Sequence, residues 1–152
     1  MRNEEWELKR WRVTIMVTMM TTLLASCDFV TSDNGDLDGL WQMTVKEHVR
    51  SSEVTDMRAR RVSWAFQGGL VQMNSEQIEE VTGQFTLTDD VLRVTNLNHF
   101  THTDGDSRID SVDDVMRELG VYRLEETYEV KELNKNTLRL QNDSVRLVFR
   151  KY

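Results

Sequence analysis

The chain has 152 residues, a formal net charge of −7 and a single cysteine. This acidic excess excludes the basic surface on which nucleic-acid binders rely, and it excludes purely electrostatic attachment to an anionic membrane. A lone cysteine excludes an intrachain disulfide, so one small domain must be stabilised by its hydrophobic core alone.

The N-terminal segment has the pattern of a cleavable export signal. Lys9, Arg10 and Arg12 precede an uncharged run over residues 13–24. A run of about 12 residues is too short for a membrane span, which needs about 20, but it suits the core of a secretory signal. The segment therefore predicts targeting, without a membrane span.

Leu24-Ala25-Ser26-Cys27 closes this run and resembles the lipobox of bacterial lipoproteins. The resemblance implies that Cys27 carries a diacylglycerol with acyl chains such as palmitate, and that the peptide bond before it is cut. It also implies a lipid anchor in the cell envelope, at the outer membrane, on the periplasmic face or the cell surface. The alternative is a buried amphipathic segment with a core cysteine. We expect a signal peptide at 1–26, the lipidated cysteine and a tether at 27–36, and the folded domain at 37–152.

From residue 37 onward, apolar and polar residues alternate with period two, which indicates strands with one buried face. In the first strand, Trp41, Met43 and Val45 alternate with polar residues. Gly68-Gly69 predicts a tight hairpin. The pattern predicts strands at residues 41–46, 62–67, 70–73, 81–88, 91–97, 122–133, 137–141 and 144–152.

One helix is predicted between the fifth and sixth strands. Val112, Val115, Met116 and Leu119 form an apolar stripe at helical spacing. Ser111 is expected to cap its N-terminus and Gly120 to end it.

Eight sequential strands joined mostly by short hairpins favour an all-β fold, an up-and-down antiparallel barrel, because closure removes exposed edges. The interior of an eight-stranded barrel is either just filled by side chains or holds one small ligand.

Gly39-Leu40-Trp41 resembles the Gly-x-Trp motif that opens the first strand of lipocalins and related calycin barrels. The resemblance implies an eight-stranded lipocalin-like barrel in which Arg150, or alternatively Arg146, packs across Trp41 in a cation–π contact. The whole layout is similar to small lipocalin-like lipoproteins of Bacteroides-type bacteria. The Thr-Asp-Tyr motif of many lipocalins is absent, and the predicted helix precedes the last three strands.

The inward faces of the predicted strands give the candidate ligand-binding residues. They are Trp64, Phe66, Phe85, Glu126 and Tyr128. Glu126 shares a face with Tyr128, and a carboxylate inside a barrel is costly unless it is paired. It therefore serves a ligand, is satisfied by a cluster of hydroxyls, or forms a structural ion pair with one of three arginines, Arg58, Arg60 or Arg61.

Other chemistry has no complete motif. Residues 34–39 resemble the start of a calcium loop, but its twelfth position is Val45 where a glutamate is needed. There is no Gly-x-Ser-x-Gly and no glycine-rich phosphate loop, and the only thiol is assigned to the anchor. We expect no metal, no cofactor, no nucleic-acid partner and no enzymatic activity.

Two functions remain open at this point. One is a lipid-anchored envelope barrel that binds a small apolar or amphipathic molecule or serves as an accessory subunit. The other is a structural or protein-interaction module with a filled core. The interior of the barrel separates them, since a small ligand needs a cavity there and a filled core favours the interaction module.

Overall fold

The computed structural model describes residues 34–100 and 105–152. The chain divides into two units, Met1–Thr31 and Ser32–Tyr152, and every described residue belongs to the second. The predicted signal peptide, Cys27 and residues 28–33 of the predicted tether lie outside the described residues. Within the described ranges, no helix is long and apolar enough to cross a membrane.

The described chain forms ten strands, one short α-helix and two 3-10 turns. The strands are β1 (Gly39–His48), β2 (Val54–Asp56), β3 (Ser63–Gln67), β4 (Leu70–Ser75), β5 (Ile78–Thr88), β6 (Val91–His99), β7 (Ser107–Arg108), β8 (Glu126–Leu133), β9 (Thr137–Gln141) and β10 (Val145–Lys151). The helix α1 spans Asp114–Glu118, and the 3-10 turns are Gly35–Leu37 and Arg58–Arg60.

Eight of these strands close into an antiparallel barrel, as the sequence predicts. Neighbours pair in the order β1, β3, β4, β5, β6, β8, β9, β10, and β10 pairs back with β1. In this closing seam, Trp41 lies opposite Lys151 and Met43 opposite Phe149. Because the sheet closes on itself, its inward side chains form one continuous core.

The position of the helix in chain order differs from the prediction. The sequence predicts the helix between the fifth and sixth strands, whereas α1 lies after β7. The difference arises because two short strands, which the sequence does not predict, add to the count. The strand β2 pairs with the part of β1 that follows its pairing with β3, and β7 pairs with the part of β6 that follows its pairing with β8. With three and two residues respectively, β2 and β7 are too short to show a period.

The helix also begins later than expected. Asp113, not Ser111, is its N-cap, and the Asp113 carboxylate accepts a hydrogen bond from the Met116 backbone N–H at 2.9 Å. Met116 and Leu119 of the predicted apolar stripe are buried. The helix therefore has one anchored face, which is directed into the barrel.

The residues just before β1 belong to the folded domain. The indole N–H of Trp41 donates to the Leu37 carbonyl at 2.7 Å, and Leu37 is buried. Lys151 Nζ donates to the Asp36 carbonyl at 2.8 Å. The end of the predicted tether is thus an ordered 3-10 turn held against the closing seam.

A lysine, and not an arginine, covers the Trp41 ring. Lys151 Nζ lies 4.9 Å from the ring centroid. The expectation for Arg150 and Arg146 is wrong, because both lie one residue out of phase with the inward face of β10. Their exposed side chains donate instead to Gln42 and Glu47, respectively. Gly39 lies below the same lysine, since a Cβ at this position would be 3.1 Å from Lys151 Cε.

Replacing Lys151 with methionine is expected to lower the free energy of unfolding by about 1 kcal/mol, because the cation–π contact and the bond to the Asp36 carbonyl are lost. Chemical denaturation measures this change. Arg150→Met is the matched control and is expected to stay within about 0.5 kcal/mol of the wild type. The reverse order of the two effects would restore Arg150 as the residue that closes the barrel.

Candidate functional site

The predicted ligand-binding aromatic residues form one packed cluster inside the barrel. The ring centroid of Trp64 lies 6.0 Å from that of Phe66, 5.8 Å from that of Tyr128 and 5.2 Å from that of Phe149. Phe66 meets Phe85 edge to face at 5.0 Å. All five side chains are buried. Each such ring pair stabilises the fold by about 0.5–1.5 kcal/mol beyond its buried area, so the cluster is a core in its own right.

The polar atoms of this cluster bind the chain that leaves α1. The indole N–H of Trp64 donates to the Leu119 carbonyl at 3.0 Å, and the Tyr128 hydroxyl donates to the Gly120 carbonyl at 2.9 Å. Burial raises the pKa of Tyr128 well above its usual value, with the charge of Glu126 as the second cause, so this hydroxyl keeps its proton. The segment that follows α1 and contains Leu119 and Gly120, called the plug below, therefore occupies the barrel interior. Its two carbonyls accept hydrogen bonds from the two donors that a ligand would otherwise meet.

Glu126 is fully buried beside this plug, at 0% exposure. Its carboxylate accepts hydrogen bonds from the backbone N–H groups of Tyr122 at 2.9 Å and Thr127 at 3.3 Å. The inward position predicted for Glu126 agrees with its burial, and its partners are backbone donors. It fixes the turn that leads from α1 into β8.

The expected ion pair of Glu126 with an arginine is wrong. The three candidate arginines lie on the loop between β2 and β3 and bind other carboxylates. Arg58 pairs with Asp56, Arg60 with Glu118 and Arg61 with Glu76. The charge of Glu126 is held by peptide dipoles, because its own turn places two N–H groups within reach.

Glu126→Gln is expected to lower the free energy of unfolding by about 1–3 kcal/mol, because a glutamine has one acceptor oxygen for two N–H donors and turns an NH₂ group toward one of them. Equilibrium denaturation of both proteins tests this. Glu129→Gln, on the exposed face of the same strand, is the matched control and should change stability by less than about 0.5 kcal/mol. Equal stability of Glu126→Gln and wild type would contradict the assigned hydrogen bonds.

The residues of the interior cluster do not line any of the three pockets described below. The predicted ligand contacts are brought together but packed against one another and against the plug. The assignment of Trp64, Phe66, Phe85, Glu126 and Tyr128 to a ligand stays a prediction.

The largest of the three pockets is a groove on the outer face of the barrel, over β3 to β6. It has a volume of about 580 Å³. Five of its polar lining residues are amides, which are Gln67, Gln72, Gln84, Asn96 and Asn98. Leu70, 60% exposed, adds an apolar contact. Amides offer both donors and acceptors, so this outer groove can pair with either kind of polar group.

A distortion of β5 and β6 shapes the floor of the outer groove. The register shifts between Thr82 and Gln84, and Asn96 has a positive φ of 53°. Gly83 lies at this point, where a Cβ would be only 2.9 Å from Leu97 Cδ2. A bulge of this kind bends a strand and re-aims its neighbours. Here it turns Asn96 and Asn98 into the wall of the groove.

The charge of the outer groove is acidic. Glu80 and Asp106 line it, and its described lining includes no lysine or arginine. The sequence contained the signal for this surface in the polar, outward members of the alternating strands. Our prediction missed it because polar alternation shows which residues face outward and does not show that the outer surface is concave.

Comparisons with known proteins agree with this architecture. A family model described as a lipocalin-like domain matches residues 22–152. The structure is similar to that of a lipocalin-like protein from Bacteroides uniformis, with a TM-score of 0.56 and 19% identity over 78% of this chain and 100% of that one. It is also similar to an uncharacterized protein from Bacteroides eggerthii, with a TM-score of 0.50 and 19% identity over 76% of this chain and 99% of that one. No curated protein matches the chain.

Proposed function

Since this chain belongs to the family of lipocalin-like domains, as its Gly39-Leu40-Trp41 strand predicted, we propose that it is a lipid-anchored barrel of the cell envelope that acts as an accessory, protein-binding subunit. The observation that carries the proposal is the filled interior of the barrel. Its role is one of binding and not of catalysis.

The filled interior argues against a ligand held inside the barrel. An eight-stranded barrel has room for side chains or for one small ligand. Here five aromatic rings are packed at centroid distances of 5.0–6.0 Å. The indole and phenol donors among them are already bonded to the Leu119 and Gly120 carbonyls. A ligand in this space would have to displace core side chains and leave these donors unpaired, which is costly.

The outer groove is the largest of the three pockets described above, and it suits contact with a protein partner. Its amides suit the donors and acceptors of a polypeptide, and Leu70 gives it one exposed apolar contact. Glu80 and Asp106 favour a partner surface that is neutral or basic. We therefore assign the partner as a protein of the same envelope with a complementary, non-acidic surface.

The lipid anchor is the second part of the proposal. The family match begins at residue 22 and thus includes Cys27. The acidic chain has no electrostatic attraction to an anionic bilayer, so attachment depends on the acyl chains. A lipid anchor would hold the outer groove near envelope partners and raise their effective concentration.

Mass spectrometry of the mature protein, purified from its own envelope under non-denaturing conditions, tests both parts. We expect the mass of a chain that begins at an acylated Cys27 and carries no stoichiometric small molecule. Cys27→Ser should lose the acyl mass and the partition into detergent. A retained apolar molecule, at one per barrel, would restore the ligand-binding alternative.

Photo-crosslinking in intact envelopes tests the outer groove. A photoreactive residue at Gln72, in the groove, is expected to give a discrete protein adduct. The matched control places the same residue at Gln141, a half-exposed glutamine on β9, on the opposite side of the barrel. Equal labelling from both positions, or none from Gln72, would contradict the assigned surface.

A further inference from the structure

A bulge in β1 reverses which of its residues point into the barrel. Met43 pairs with Phe149 but Val45 pairs with Val148, so the register shifts by one residue between them. Beyond this bulge, Lys46 lies opposite Leu147 and His48 opposite Val145, both of which are buried. The alternation of Trp41, Met43 and Val45 in the sequence predicts the opposite phase. Bulges often re-aim side chains at functional sites, so the residues that this one turns inward are of interest.

Lys46 and His48 line a cleft of about 330 Å³ where α1 meets the end of the barrel. Lys46 Nζ donates to the Arg117 carbonyl at 3.2 Å and forms no salt bridge with a carboxylate of the described residues. Burial lowers the pKa of Lys46, although the charge of Glu118 acts in the other direction. A half-buried ammonium group with one neutral acceptor has lost part of its hydration without an opposite charge in direct contact.

The other charges that line this cleft are already balanced. Arg60 pairs with Glu118 at 2.9 Å, and Arg117 pairs with Asp114 at 2.8 Å. Among the lysine, arginine and carboxylate side chains of the described lining, Lys46 therefore leaves a single positive charge. Glu53 also acts on Lys46, but it is the weakest of the four influences on that amine. The cleft is therefore a cationic spot on a chain whose net charge is −7.

Tyr122 adds a second donor. It lines this cleft and the adjoining pocket, and His48 does the same while packing edge to face on the Tyr122 ring at 6.0 Å. The Tyr122 hydroxyl is buried and has no hydrogen-bond partner among the described residues. Burial raises the pKa of Tyr122, so its hydroxyl stays protonated and can donate. A buried donor without an acceptor is rare in native proteins, so this hydroxyl is suited to bind a ligand that supplies the acceptor.

We propose that this cleft binds the carboxylate of a small organic acid, with Lys46 Nζ as the cation and Tyr122 Oη as the second donor. A singly charged carboxylate matches the single excess charge, whereas a phosphate dianion would exceed it. The Met57 side chain and the Tyr122 ring offer apolar contacts for the rest of the molecule. The site is independent of the outer groove, so either proposal can fail alone.

Acetate is the probe for this site. Thermal unfolding of the mature acylated protein in detergent is followed while sodium acetate replaces sodium chloride at constant ionic strength and pH 7. We expect a saturable rise in Tm, and a change in the resonance of ¹³C-labelled Tyr122 with the same midpoint. Phosphate should give a smaller rise than acetate.

Three variants identify the residues responsible. Lys46→Met should weaken acetate binding by at least about tenfold, because it removes the one cation among the described lining residues that has no carboxylate partner there. Tyr122→Phe should weaken it by about tenfold, through loss of one charge-assisted hydrogen bond, and it carries the test should Lys46→Met not fold. Lys135→Met, in the exposed turn between β8 and β9, is the matched control and should bind as the wild type does. An acetate effect equal to that of chloride, an effect retained in both site variants, or a stronger effect of phosphate would overturn the proposal.

Discussion

Replacing Trp64 with alanine is expected to lower the free energy of unfolding by about 3–5 kcal/mol, because it leaves a cavity at the centre of the aromatic cluster. Three rings lose their contact with the indole, and the Leu119 carbonyl loses its donor. Equilibrium denaturation measures the change. In a domain of this size, such a loss is a large part of the total stability.

Two further measurements show whether the interior is filled, as our functional proposal requires. Trp64→Phe keeps a ring but loses the indole donor, so we expect a smaller loss of about 1–3 kcal/mol. Benzene should raise the Tm of Trp64→Ala, because a dry apolar cavity binds small apolar molecules. The wild type should not respond. A wild type that is stabilised by benzene to the same degree would show that the barrel already contains a cavity.

The barrel could be predicted because its signal is long and regular. Gly68-Gly69 separates β3 from β4 as predicted, and the buried members of β3, Trp64 and Phe66, alternate as expected. The short strands β2 and β7 could not be predicted, since a pattern of two or three residues has no measurable period. Their presence depends on pairing with the far ends of β1 and β6.

The candidate sites were less predictable, because they depend on local breaks in that regular pattern. The β1 bulge reverses the phase after Met43, so Lys46 points inward although the sequence places it on the polar face. The inward prediction for Glu126 was made from phase alone. The sequence does not predict its partners, because they are backbone N–H groups of its own turn, which every residue type carries. The alternation of β10 also determines which cation covers Trp41 at the closing seam. Lys151 lies on the inward face, and Arg150, one residue earlier, lies on the outward face.

The plug depends on a glycine for both its conformation and its space. Gly120 has a φ of +95°, which side chains disfavour, and a Cβ there would lie 2.7 Å from Leu147 Cδ1. Gly120→Ala is therefore expected to lower the free energy of unfolding by about 2–4 kcal/mol, from backbone strain and overpacking together. Denaturant titration measures this loss.

A control and a double variant separate the two causes. Gly69→Ala changes a glycine of similar φ, +85°, with nothing within 4 Å of the new Cβ, so it should cost only about 1 kcal/mol. Combining Gly120→Ala with Leu147→Ala should be less destabilising than the sum of the two single changes, because the smaller side chain gives the new methyl group room. Strict additivity would mean that the chain after α1 is not packed against Leu147. In that case the interior would not be closed by the plug, and a ligand cavity at that end of the barrel would again be the better explanation.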